Sequence, residues 1–227
     1  MTFGKFIHEY QTLIGSFLAI FSTIMLWYFK EVHEKNKQLQ NNKKEIEDLF
    51  FMASREAEES VMDLIDYADK LRKNLGKKEN VMDVFQHLKF NKVYINQERL
   101  FVLKQGASFI LSQQIDIAVT AANKFNGILE GIEFGPTFIF DSTIKLIEAG
   151  VETKELAIKN YIKDQEAYVK NIEFMLDHHI KKAQILMLRP LAAMAPKYEN
   201  VPDNVDVDKQ LDLEAELILS VIKKDLE

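Results

Sequence analysis

The sequence predicts an all-α protein: an N-terminal transmembrane helix followed by an elongated antiparallel bundle of long helices. Three observations predict it. Gly and Pro are scarce, 8 and 4 in 227 residues, while helix-favouring Lys, Glu, Leu, Ile and Ala abound. Residues 10–29 carry no charged side chain. Beyond them, apolar residues recur mostly at steps of three and four, the period of a helix with one buried stripe.

A short leader, residues 1–9, precedes the uncharged run YQTLIGSFLAIFSTIMLWYF at 10–29. As a helix rising about 1.5 Å per residue, that run matches a hydrocarbon core of about 30 Å. Its hydroxyls, Thr12, Ser16, Ser22 and Thr23, can bond back to helix carbonyls and so be tolerated in lipid. Tyr10 at one edge and Trp27, Tyr28 and Lys30 at the other are expected interfacial anchors. A cleaved signal peptide needs a shorter apolar stretch and small residues at a cleavage site, and neither is present. Lys30, Lys35, Lys37, Lys43 and Lys44 outweigh the leader's Lys5, so the positive-inside rule places the C-terminal part in the cytoplasm. Gly15, Ala19 and Thr23 lie four apart, a small-residue face on which another membrane helix can pack.

The stretch EYQTLIGSFLAIFSTIMLWYF resembles the start of small, uncharacterised bacterial membrane proteins with a Tyr-Gln-Thr-Leu-Ile-like entry into one anchor. The resemblance covers about the first tenth of the chain. It implies a bacterial inner membrane and a single pass, and it implies no activity.

Residues 30–48 read as a charged helical stalk, the first part of a helix running from about His33 to Leu75. Its stripe continues through Phe50, Ala53, Ala57, Val61, Leu64, Ala68 and Leu71, and Gly76 is the expected cap. Residues 49–189 form the expected bundle. Asn80 caps a short helix through Leu88, and Phe90 to Ile95 is a loop or a brief extended piece. A helix from about Gln97 to Ile132 follows. Gly135-Pro136 is expected to break the chain, and Asp141 or Ser142 to cap a short helix ending at Gly150. A second long helix runs from Thr153 to about Leu188. Residues 190–207, with Pro190, Pro196 and Pro202, are the expected linker. Residues 208–227 form a last amphipathic helix with Leu211, Ala215 and Ile218 on one face.

The chemistry is sparse. Cysteine is absent, which removes disulfides, a thiolate nucleophile and Cys-based zinc sites. A net charge of −6 speaks against nucleic-acid binding. His178 and His179 are adjacent and diverge by about 100° on a helix, and neither has a ligand-type residue three or four away in a metal pattern. The acidic stretch DNVDVDKQLDLE fails the calcium-loop pattern in both registers: Val205 and Val207 stand at ligand positions in one, and Lys209 replaces the required Gly in the other. Gly127, Gly131 and Gly135 repeat every four residues, either as a close-packing face or as a weakened helix end. Phe138, Ile139 and Phe140 are the expected exposed apolar patch, since they fall in the expected break.

No catalytic residue, cofactor or metal site is expected. The expectation is a membrane-tethered, non-enzymatic helical interaction or scaffold module. Its partners would be the lipid bilayer and a second copy or another helical membrane protein. The alternative is a membrane-attached helical-bundle ligand sensor.

Overall fold

A computed structural model describes residues 3–75, 89–198 and 207–226, with side chains from Gly15 onward. Among these residues every regular element is helical. The first is α1 (Phe3–Asn74), then the short α2 (Gln97–Leu103) and the long α3 (Phe109–Glu148). A rod follows, made of α4 (Lys154–Met175), one π-helical turn (Leu176–Ile180) and α5 (Lys181–Ala193). A 3-10 turn (Pro196–Tyr198) and α6 (Asp208–Leu226) close the described chain. The chain divides into two compact units, Met1–Lys44 and Glu45–Glu227.

The described part of the first unit is the N-terminal stretch of α1, up to Lys44. Its hydroxyls turn back to their own helix: Ser22 donates to the Leu18 carbonyl at 2.7 Å and Thr23 to Ala19 at 2.8 Å. Among the described residues no helix is long and apolar enough to cross a membrane. The expected span starts at Tyr10, ahead of the first described side chain.

The second unit starts at Glu45 because that residue and Ile46 are already engaged. Glu45 pairs with Arg99 through two oxygens at 2.5 and 2.6 Å, and Ile46 is buried. From there α1 and α3 run side by side in the same direction. Residues 89–96 run against the direction of α3 in non-helical backbone, Phe90 beside Glu133 and Val93 beside Asn126. Side chains, rather than another strand, satisfy that backbone. Asn126 accepts from the Val93 N–H at 2.9 Å and donates to its carbonyl at 2.8 Å. Glu133 accepts from the Phe90 N–H at 2.7 Å, and Ser60 donates to the Asn91 carbonyl at 2.7 Å. Of the two readings of this segment, the extended one fits.

The rod α4–α5 runs opposite to α1 and α3, and α6 turns back once more. Successive passes are thus antiparallel. One core joins Ala57, Leu64 and Leu71 of α1 to Phe125 and Leu129 of α3, Ile172 of α4 and Met187 of α5. A second joins Ile46 and Phe50 to Leu100, Leu111, Ile115, Tyr198 and Leu211. A third seats α6 on α5 through Leu188, Ala215, Leu219 and Ile222.

Three expectations are corrected. The helix expected from Gln97 to Ile132 is interrupted between Leu103 and Phe109. Gly106 adopts φ 89°, open to glycine at little cost, and the Ser108 side chain caps α3 by accepting from the Leu111 N–H at 3.3 Å. The break expected at Gly135-Pro136 does not occur, and neither does the separate short helix expected to be capped by Asp141 or Ser142, because α3 passes through all four residues. Proline lacks an N–H, which leaves the carbonyl four residues back, that of Ile132, without its helical partner. The Tyr168 hydroxyl donates to that carbonyl from α4. The linker expected from 190 starts later, since Pro190 lies inside α5, which continues to Ala193. The expected cap at Gly76, the helix from Asn80 and Pro202 lie outside the described residues.

Candidate interaction surfaces

On the N-terminal unit, Gly15, Ala19 and Thr23 are all exposed, and a Cβ at Gly15 would meet no atom within 4 Å. Trp27 and Tyr28 are exposed beside them. Lys30 is exposed too and lies 3.9 Å from Glu34, an ordinary solvated pair. The fourth expected anchor, Tyr10, lies outside the described side chains. Phe17, Leu18, Ile20, Phe21, Ile24 and Leu26 are also exposed, so apolar surface goes right round this helix.

The buried polar groups of the second unit tie helices together. Glu58 of α1 accepts from Gln184 of α5 at 2.6 Å and pairs with Lys223 of α6 at 3.3 Å. Arg189 of α5 is 7% exposed and reaches Asp208 and Asp212 of α6, both at 2.7 Å. Burial works against its charge, but the hydrogen bonds and charges of Asp212 and Asp208 more than offset this and raise its pKa. Tyr67 and Tyr168 are buried together, and burial pushes both phenols well above their ordinary value. The Tyr67 hydroxyl, unlike that of Tyr168, forms no well-aligned hydrogen bond. Asp208, Asp212 and Lys223, the partners of Arg189 and Glu58, are half-exposed, so the two charged clusters sit at the edge of the packed helices.

His178 and His179 fall in the π turn. His178 stacks on Phe174, ring centres 4.4 Å apart, and its Nδ1 lies 3.1 Å from the Phe174 carbonyl. Its neighbour meets the same ring edge-on. The pair thus surrounds one aromatic ring. Among the described residues no three His, Cys, Asp or Glu side chains are grouped as for a metal ion.

The patch expected at 138–140 is only partly exposed. Phe138 is 73% exposed, whereas Ile139 packs against the core and Phe140 rests edge-on against Tyr161 at 6.5 Å. The helix running on through Pro136 is the reason: it spreads three consecutive residues over three directions. The real companion of Phe138 is Phe134, one turn earlier and 69% exposed. Sequence reasoning missed it because it ended the helix before both. Gly127 and Gly131 lie on the same face, exposed, with nothing within 4 Å of an added Cβ. They form one wall of a groove of about 510 Å³ between α3 and α4, with Ile128, Ile132, Tyr168 and Met175 opposite and below. Gly135 differs, because a Cβ there would overlap the Tyr168 ring. A second, more polar recess of about 410 Å³ lies between residues 93–98 and α3.

No protein-family model, curated protein or solved structure matches the chain.

Proposed function

We propose that the chain is a membrane-tethered, non-enzymatic helical interaction module, held by residues 10–29 with its bundle on the cytoplasmic side of a bacterial inner membrane. One observation supports this above the others. The helix from Gly15 to Phe29 exposes large apolar side chains in every direction, and the uncharged run begins earlier still, at Tyr10. A helix apolar all round is stable only when covered, and a lipid bilayer covers it completely. The second unit supports the non-enzymatic part, since its buried charges are consumed by partners that tie helices together. The lysines after Phe29 support the orientation.

Membrane fractionation of cells expressing the full chain, followed by an alkaline wash, tests the tether. The chain is expected to remain with the membranes, and its release by the wash would overturn the reading. A reporter fused at the C-terminus is expected to be active in the cytoplasm, and activity only outside would reverse the orientation.

A further inference from the structure

We propose that a second copy of this chain docks antiparallel on the outer face of α3, its Phe134 and Phe138 seated over the partner's Gly131 and Gly127. This rests on the interaction-module reading and names its partner.

The face is built by spacing. Steps of four, three and four separate Gly127, Gly131, Phe134 and Phe138, so all four share one side of the helix. The glycines are hollows that open into the 510 Å³ groove, and the phenylalanines are knobs about 70% exposed. Hollows and knobs have the same separation, one turn, about 6 Å at 1.5 Å per residue. An isologous interface requires that when one residue meets a second, the second meets the first. A two-fold axis passing between Ile132 and Glu133 meets that requirement. It sets Phe134 against Gly131 and Phe138 against Gly127, in both directions at once.

The charges agree with the same axis. It brings Lys124 to Asp141 of the other copy, twice, at the two ends of the contact. Both are exposed, and neither forms an ion pair among the described residues. Asn123 meets Ser142, two groups able to hydrogen-bond. A parallel pairing instead sets Phe against Phe, Lys124 against Lys124 and Asp141 against Asp141, leaving the hollows empty and like charges together. Charge complementarity therefore selects a second copy in antiparallel register.

The absence of cysteine in the natural chain makes the test direct. In the full chain in detergent, Lys124→Cys and Asp141→Cys are introduced singly and together, and mild oxidation is followed by gel mobility. In one helix the two positions are about 25 Å apart, too far for an internal bond. The double variant is expected to run as a cross-linked dimer and each single variant as monomer. Adding Gly127→Leu and Gly131→Leu fills the hollows and is expected to cut the cross-linked fraction on the order of tenfold, as an interface that loses its central pockets does. Circular dichroism confirms that this variant stays folded. The charge exchange Lys124→Asp with Asp141→Lys, measured by sedimentation in the cysteine-free chain, is expected to dimerise where either change alone does not. Absence of cross-linking in the double variant, or equal cross-linking in the singles, overturns the inference. If the chain is still dimeric by mass when that happens, the interaction-module reading stands. A chain that is monomeric and binds nothing sinks both.

Discussion

Tyr168 settles two problems at once. Its hydroxyl takes the carbonyl that Pro136 leaves without a helical donor, and its ring fills the space that Gly135 leaves open. Tyr67 lies next to it, equally buried, with a hydroxyl that is not well bonded. The two phenols should therefore answer removal differently. Tyr168→Phe strands a buried carbonyl and is expected to cost about 1–3 kcal/mol, whereas Tyr67→Phe removes a hydroxyl that has only a poorly aligned contact with Tyr168 and is expected to cost less. Urea unfolding of the two variants measures this, and equal losses would contradict it. None of it was legible in the sequence. Gly-Pro is correctly a helix breaker on local grounds, and only a donor from another helix, distant in sequence, overrides that.

At the scale of elements, the apolar stripe of α1 was legible, and so were the stripes of the rod and of α6, because long periodic segments carry their own signal. The stops were less so. Gly106 and Ser108 are an ordinary turn-and-cap pair, yet the apolar period continues across them through Leu103, Ala107 and Ile110 and conceals the interruption. On α3 the three regularly spaced glycines looked alike and are not. Gly131→Ala enters open space and removes glycine's backbone freedom, so it is expected to stabilise the fold by up to about 1 kcal/mol. Gly135→Ala drives a methyl into the Tyr168 ring and is expected to destabilise it. Thermal melts of the two variants decide between this and a simple helix-propensity effect, which would move both upward. The exposed face of α3 was half legible for the same reason: its glycines and Phe138 stood out, and Phe134 joined them only once the helix was known to continue.

Across the second unit, Glu45 and Arg99 join α1 to α2, residues more than fifty positions apart. The Arg99 hydrogen bond holds the Glu45 carboxyl below its ordinary value of 4.5. A carboxyl whose pKa is depressed by folding stabilises the fold above its unfolded value, and that contribution fades as pH falls below it. The melting temperature is therefore expected to fall from about pH 4.5 downward by an amount that Glu45→Gln removes. The variant should melt lower than the natural chain at pH 7 and together with it near pH 3. A constant difference across that range would show that the pair does not act through its charge. The helical class and the order of the long helices were legible from composition and period. The arrangement of the passes was not, because nothing local announces that α1 and α3 run in the same direction.

The non-helical return between them has a kinetic consequence. Helices α3 and α4 meet across a tight turn at Ala149–Thr153, so their contacts are local and form early. The contacts of α1 with α3, by contrast, join residues far apart in sequence, and residues 89–96 lie against both helices. Residues 90–93 are then tied down by Ser60, Asn126, Glu130 and Glu133. The order expected from loop closure is therefore the reverse of the order of synthesis. Of the described helices, α1 is made before the others and finds its partners after them, and until then it waits on a surface that the later helices have yet to build.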